Sequence, residues 1–133
     1  LPVKEAREKV PDLILVESRP ETYIRYHHRL MEVIESCLHV DHVGSIDEVT
    51  CRLTGSHAEP AKAVAAAKRI KQAVRREVGE CLRCSIGIAP NWLLAKVASD
   101  MEKPDGLVVL DESDLPARLF TLAPDLVTVG LSA

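Results

Sequence analysis

Gly44-Ser45-Ile46-Asp47-Glu48 is the stretch that decides the fold, because it sets two adjacent carboxylates between two β-prone runs. In those runs, residues 38–43 and 49–54, apolar and polar side chains roughly alternate, which is typical of strands. The sequence therefore predicts a hairpin with an acidic tip. Successive strand side chains point to opposite faces, so Asp47 and Glu48 can share one site only if the backbone bends there. Gly44 supplies the flexibility for such a bend.

Paired carboxylates at the end of a hairpin can hold a hard cation. Mg²⁺ prefers oxygen ligands and usually keeps water and substrate phosphates in its remaining positions. Asp47 and Glu48 are therefore candidate metal ligands. An Asp-Glu pair taken alone is more often a solvated turn, so both interpretations stay open on these residues.

Length and composition are those of one compact domain with a single core: 133 residues, 47% hydrophobic and 28% charged. No apolar run is long enough to span a bilayer, and residues 1–10 lack the apolar centre of a signal peptide. We therefore expect a cytoplasmic protein with no membrane partner. The net charge of -3 argues against DNA binding by electrostatics alone, which needs clustered Lys and Arg.

Four cysteines are present: Cys37, Cys51, Cys81 and Cys84. They are too few and too scattered for a disulfide framework, and we interpret them as structural thiols within apolar segments. Cys81 and Cys84 form a Cys-x-x-Cys, but no second pair completes a zinc site. The spacing of His39, Asp41 and His42 matches no standard metal site.

The rest of the chain alternates between helical and extended patterns. Helical periodicity or capping signals predict helices over residues 4–10, 20–38, 60–79, 91–101 and 114–122. Apolar runs predict further strands over residues 13–16, 82–89 and 107–110. A turn is predicted at 103–106, with Gly106 free to take a positive φ, while residues 123–133 show no clear periodicity. This order indicates a layered α/β or α+β fold with helices packed on a mixed sheet.

Two of the predicted helices carry expectations about their faces. Opposite the Ala-rich side of the helix over 60–79 lie the basic residues Lys62, Lys68, Arg69, Lys71, Arg75 and Arg76. We interpret these as a solvated face rather than a phosphate-binding patch. In the helix that follows Asn91, the expected buried residues are Leu94, Val97, Ala98 and Met101.

Three motifs in a fixed order carry a resemblance. They are Ser45-Ile46-Asp47-Glu48, then Ser85-Ile86-Gly87-Ile88-Ala89-Pro90-Asn91 with the helix after it, then Lys103-Pro104-Asp105-Gly106. Together they resemble the palm of the Y-family (translesion) DNA polymerases. The resemblance covers nearly the whole chain. It implies an α+β fold, a ferredoxin-like palm over residues 1–123 with helices packed on a mixed or antiparallel sheet. Residues 1–10 would end the fingers region, and residues 124–133 would form a tail leading towards the thumb.

The resemblance also implies an activity and a site. In this family the acids matching Asp47 and Glu48 are catalytic and hold the two metal ions of nucleotidyl transfer, with Mg²⁺ expected here. The lysine matching Lys103 contacts the phosphates of the incoming nucleotide. The implied function is a DNA-directed DNA polymerase acting in translesion synthesis and DNA repair on primer-template DNA and a dNTP. A sliding clamp or a repair-complex protein stays open as a further partner.

The chain departs from the family pattern at several points. The family's first metal-binding carboxylate, carried by an N-terminal strand, is not present, and neither is the thumb. Arg52, His27 and Trp92 stand where the family commonly has an acid, a Ser and a Lys. We therefore expect this chain alone to be inactive as a polymerase. The alternatives are a non-catalytic adaptor in a DNA repair complex and another palm-like enzyme such as a nucleotide cyclase, although the Lys-Pro-x-Gly turn speaks against the latter.

Overall fold

A computed structural model describes residues 1–111, 113 and 126–132, which contain a five-stranded mixed sheet. Its strands are β1 (Val40–Ser45), β2 (Glu48–Arg52), β3 (Arg83–Ala89), β4 (Leu107–Val109) and β5 (Leu126–Ser132). The spatial order is β1-β2-β5-β3-β4. Only β3 and β4 pair in parallel among these neighbours; the other pairs are antiparallel. The predicted α+β class and mixed sheet are confirmed.

Helices connect and cover the strands. The α-helices of the described residues are α1 (Val3–Lys9), α2 (Pro20–Cys37), α3 (Pro60–Ala73) and α4 (Trp92–Met101), and Gly55–Ala58 forms a short 3₁₀-helix. A π-helical segment, Val74–Val78, continues α3. Pro20 and Pro60 stand at helix starts, where a missing backbone N–H costs nothing. The predicted cap of α4 is confirmed, because the Leu94 N–H donates to Asn91 Oδ1 at 2.9 Å.

The main core lies between the sheet and the pair α2 and α3. Ile34 of α2 and Ile70 of α3 are fully buried there, together with Val49, Ile86 and Val129 from the central strands. Because strand side chains alternate, Glu48, which precedes the buried Val49 on β2, points to the opposite face of the sheet.

The helix α4 covers that opposite face and approaches it very closely at β3. A Cβ added to Gly87 would lie 2.0 Å from the backbone oxygen of Ala95. Small residues of α4 therefore make the contact, and Ala95, Ala98 and Ser99 are buried. The prediction for this helix is right for Ala98, only partly right for the half-buried Leu94, and wrong for Val97 and Met101, which are 47% and 59% exposed. The close approach leaves no room for larger side chains at the contact.

The predicted strand over residues 13–16 is wrong. This segment has no regular secondary structure, and Ile14 and Val16 are 84% and 83% exposed. Among the described residues no strand pairs with it, and an apolar run cannot form a strand without a hydrogen-bonding neighbour.

The sheet also contains a strand that the sequence pattern did not indicate. Residues 126–132 form β5, which lies between β2 and β3 and pairs with both. The helix predicted over 114–122 falls outside the described residues. In the part of the chain that is described, no helix combines the length and apolarity needed to cross a bilayer.

The interpretation of the cysteines as structural is confirmed for two of them. Cys51 and Cys84 are buried, and burial raises the pKa of the Cys51 thiol to about 12 and that of Cys84 to about 11. Cys81 is exposed, because it belongs to the loop before β3 rather than to the strand.

Candidate active site

The predicted hairpin is present, but its tip is shorter than predicted, because Gly44 and Ser45 belong to β1 and Glu48 belongs to β2. Ser45 at the end of β1 pairs with Glu48 at the start of β2, so Ile46 and Asp47 form the turn between them. The pairing register shifts between Val43 and Ser45, on either side of Gly44, which is where a bend was expected. The Ser45 hydroxyl donates to Asp47 Oδ1 at 2.6 Å, and this bond fixes the Asp47 carboxylate over the turn.

The two acids border different cavities. Asp47 lies at the edge of a largely apolar cavity of about 570 Å³, together with Tyr23 and Tyr26 of α2. Glu48 lies in a cavity of about 510 Å³ on the α4 side, where Trp92 is among the lining residues. The turn therefore separates the immediate surroundings of two carboxylates that are adjacent in sequence.

Glu48 is linked to Lys103 by a row of alternating charges, which we name the Glu48–Lys103 charge chain: Glu48, Lys96, Asp100 and Lys103. Lys96 Nζ lies 2.7 Å from Glu48 Oε2 and 3.5 Å from Asp100 Oδ2. Lys103 Nζ lies 2.6 Å from Asp100 Oδ1. The hydrogen bond to Glu48 raises the pKa of Lys96, and the hydrogen bond from Lys103 lowers the pKa of Asp100. Two motifs far apart in sequence thus meet on one surface.

The predicted Lys-Pro-Asp-Gly turn is present, but its glycine has a different role. The residue with positive φ is Asp105, at 63°, and not Gly106 as predicted. Gly106 is needed instead for a close approach, because a Cβ there would lie 2.1 Å from the backbone oxygen of Glu102. Sequence alone does not separate these two uses of glycine.

Lys71 of α3 holds this turn. Its ammonium nitrogen donates to the backbone oxygens of Cys84, Asp105 and Gly106 at 2.6, 2.7 and 3.1 Å, and lies 2.7 Å from Asp105 Oδ1. Arg75 is 3.2 Å from Asp105 Oδ2. These cations, Lys71 above all, lower the pKa of Asp105. The interpretation of the α3 basic face as only solvated is therefore wrong for Lys71.

The residues that depart from the family pattern lie around the same hairpin. Arg52 Nε is 3.4 Å from Asp41 Oδ1 across the β1–β2 pair. His27 Nδ1 lies 2.8 Å from the backbone oxygen of Ile46, which ties α2 to the turn. Trp92 is 60% exposed beside the cavity of Glu48.

Lys71 and Lys96 were not singled out from the sequence. For Lys96 a usable signal existed, because Lys96, Asp100 and Lys103 are spaced four and three residues apart, the spacing at which opposite charges meet on a helix. Lys71 gave no such signal, since its partners are mostly backbone oxygens of distant segments.

The carboxylates of Asp47 and Glu48 could supply only part of the ligands of a hard cation, with water and substrate phosphates as the others. The described residues contain no group of three or more His, Cys, Asp or Glu that could hold a metal ion. β5, which pairs with β2 alongside Glu48, has no acidic residue in its sequence. Asp47 at the exposed turn and the partly exposed Glu48 on β2 border different cavities. Each is the kind of ligand that Mg²⁺ takes, because this ion commonly binds through one or two carboxylates plus water and substrate phosphates.

Comparison with known proteins decides the family. The model of the impB/mucB/samB family matches residues 1–100. The chain belongs to this family. Membership confirms the resemblance to the Y-family polymerases, which rested on the hairpin acids, the α4 motif and the Lys-Pro-x-Gly turn.

The chain is similar to several curated proteins that are named DNA polymerase IV or DNA polymerase IV 1. The chain is 35% identical to DNA polymerase IV of Moorella thermoacetica over 120 residues, covering 90% of the chain and 30% of the relative. It is 36% identical to DNA polymerase IV 1 of Halalkalibacterium halodurans over 126 residues, covering 92% and 29%. With DNA polymerase IV of Sulfurisphaera tokodaii the identity is 30% over 115 residues, covering 86% and 32%. The chain therefore spans about 30% of the length of the curated relatives it matches.

Proposed function

We propose that this chain is the palm portion of a cytoplasmic Y-family DNA polymerase acting in translesion synthesis and DNA repair. The substrates would be primer-template DNA and a deoxynucleoside triphosphate. The longer relatives are named as DNA polymerases, and the proposal extends that activity to the longer protein that contains this chain as its palm.

Three residues would carry the reaction. Asp47 and Glu48 would hold Mg²⁺ ions through their carboxylates, and Lys103 would bind the nucleotide phosphates as a point charge from its turn. The bound cations would neutralise the charge that develops as the primer 3′ oxygen attacks the triphosphate and pyrophosphate leaves. Ser45 would orient Asp47 through the hydrogen bond between its hydroxyl and Oδ1.

The observation that supports this function most strongly is the Glu48–Lys103 charge chain. A two-ion mechanism requires acids that hold the metal ions beside the substrate phosphates, and a nearby lysine can bind those phosphates as a point charge. Lys96 and Asp100 connect the β2 acid to the turn lysine through distances of 2.7, 3.5 and 2.6 Å. All of their side chains are between 27% and 46% exposed, so a nucleotide can reach them.

A non-catalytic adaptor in a repair complex is the second candidate. The observation that favours it is the small donor set, because Glu48 already pairs with Lys96 and β5 brings no acid beside it. An adaptor would use the palm surface for contacts with other proteins and would not need Asp47.

Primer extension by the longer protein that contains this chain tests both candidates. We expect Asp47→Ala and Glu48→Ala each to reduce synthesis on the order of a hundredfold or more. The control Asp12→Ala removes an exposed acid between α1 and α2 and should leave the rate unchanged. Synthesis at the wild-type rate in both site variants would reject the polymerase assignment. No synthesis by the wild-type protein would favour the adaptor.

A further inference from the structure

Lys96 lies between two carboxylates on the α4 side of the sheet. Its nitrogen is 2.7 Å from Glu48 Oε2 and 3.5 Å from Asp100 Oδ2. Asp100 follows Lys96 by four residues on α4, which is the spacing at which two helical side chains meet. Because a lysine is a flexible point charge, Lys96 can exchange one acceptor for the other by side-chain rotation alone.

Asp100 is shared in the same way. Its Oδ1 accepts from Lys103 at 2.6 Å while Oδ2 faces Lys96. Asp100 is closer to Lys103 than to Lys96, at 2.6 Å against 3.5 Å, so its contact with Lys96 is the weaker of the two. Lys96 lies closer to Glu48, at 2.7 Å. The side chains of the Glu48–Lys103 charge chain are all partly exposed, so a change of partner does not bury an unpaired charge.

We propose that Lys96 is a positioning residue that determines whether Glu48 is available to a divalent cation, and that Lys103 sets the position of Lys96 through Asp100. The inference rests on the proposed function, since it takes Glu48 as a cation ligand and Lys103 as a phosphate contact. A phosphate group bound by Lys103 draws that ammonium away from Asp100. Asp100 then accepts Lys96, and Glu48 is released.

Competition for one carboxylate is the physical basis of this coupling. An ammonium group and a divalent cation repel each other and compete for the Glu48 oxygens. Loss of Lys96 therefore strengthens cation binding at Glu48. Loss of Asp100 leaves Lys96 paired with Glu48 alone, and this weakens cation binding at Glu48. A residue that only packed α4 against the sheet would not produce effects of opposite sign.

Titration of this chain with Mn²⁺, followed by electron paramagnetic resonance of the free ion, tests the inference without requiring catalysis. We expect Lys96→Met to bind Mn²⁺ about three to ten times more tightly than wild type and Asp100→Asn to bind it less tightly by a similar factor, as partly exposed charges at these distances suggest. Lys9→Met is the matched control, because it removes the same charge from the exposed Lys9–Glu5 pair of α1. It should leave the affinity unchanged.

Combined variants separate the exchange of partners from simple loss of charge. In the Lys96→Met background, Asp100→Asn should have no further effect. Lys103→Met should tighten Mn²⁺ binding in the wild-type background and leave it unchanged in the Asp100→Asn background. A change of equal size in both backgrounds would show direct repulsion between Lys103 and the ion and would overturn the inference.

The outcomes distinguish this inference from the proposed function. If Glu48→Gln weakens Mn²⁺ binding but Lys96→Met does not tighten it, the role of Lys96 is refuted and the proposed cation site stands. If Lys96→Met does not bind Mn²⁺, or Glu48→Gln has no effect on Mn²⁺ binding in the Lys96→Met background, the proposed site is refuted and the role of Lys96 is refuted with it.

Discussion

Lys71 Nζ lies 2.7 Å from Asp105 Oδ1 and also donates to the backbone oxygens of Cys84 and Gly106. One ammonium group thus joins α3, the central strand β3 and the turn that carries Lys103. The Lys71 side chain is only 19% exposed. The position of Lys103 on the proposed active-site surface therefore depends on a contact made from the other side of the sheet.

Replacing Lys71 should destabilise the fold. Lys71→Met removes one donor from each of three backbone oxygens, those of Cys84, Asp105 and Gly106, of which Gly106 still accepts from the Ile86 N–H at 3.0 Å. A partly buried acceptor that is left unsatisfied costs about 1 to 3 kcal/mol. We expect the free energy of unfolding, measured by urea denaturation, to fall by at least the lower figure. The control is Lys68→Met on the same helix, where the side chain is exposed and the change should stay within about 0.5 kcal/mol. Equal stability of the two variants would show that the Lys71 contacts contribute little.

The Asp105 carboxylate should make stability depend on pH in acid. Its pKa is lowered in the folded chain, first by the hydrogen bond from Lys71 and further by the charges of Lys71, Arg75 and Arg83. A carboxyl with a lowered folded pKa contributes stability that is present above its unfolded pKa of about 3.9 and is lost as the pH falls through the folded pKa.

Urea denaturation of wild type and Asp105→Asn at several pH values measures this contribution. The stability difference between the two proteins should be constant above about pH 5 and should shrink as the pH falls below about 4. A difference that stays the same down to pH 2 would show that the ionised form of Asp105 is not stabilised in the fold.

Gly87 should tolerate no side chain. Its missing Cβ would lie 2.0 Å from the backbone oxygen of Ala95 and 2.5 Å from the backbone nitrogen of Ser99, so Gly87→Ala forces α4 away from the sheet. We expect a loss of about 3 kcal/mol or more in the free energy of unfolding. The control Gly79→Ala places its Cβ 3.6 Å from Leu82 and should be nearly neutral. A mild effect at Gly87 would mean that α4 packs less closely than described.

This chain expressed alone should not extend a primer. Its described residues bring two acids to the hairpin tip, and β5 adds none beside them, whereas the family's pattern has a further metal-binding carboxylate. Gel-based primer extension with Mg²⁺ or Mn²⁺ measures this directly, with the longer parent protein as the positive control. Extension by the chain alone would show that Asp47 and Glu48 suffice.

Local patterns in the sequence predicted the features that local forces determine. The hairpin around Asp47, the capping of α4 by Asn91 and the prolines that begin α2 and α3 all depend on residues within a few positions of one another. The alternation of Val49 and Glu48 between the two faces of the sheet follows from the period of a strand.

Features that depend on distant partners were not accessible in this way. The apolar run at 13–16 resembles a buried strand, but whether it pairs is decided by other segments. β5 has no pattern that separates a central strand from a tail. Lys71 is one of several lysines on the same helix, and what distinguishes it is its contacts with Asp105 and Gly106 in the turn after α4. Positive φ at Asp105 rather than at Gly106 likewise follows from tertiary contacts.

Crystals of this chain soaked in Mn²⁺ and a deoxynucleoside triphosphate, whose phosphates can occupy Lys103, and measured near the manganese absorption edge test the central claim most directly. We predict an anomalous peak at the hairpin tip within about 2.3 Å of carboxylate oxygens of Asp47 and Glu48, slightly longer than the distances typical of Mg²⁺. In that state Lys96 should have turned from Glu48 to Asp100. A soaked crystal with no peak at the tip, and with Lys96 still bound to Glu48, would contradict the account.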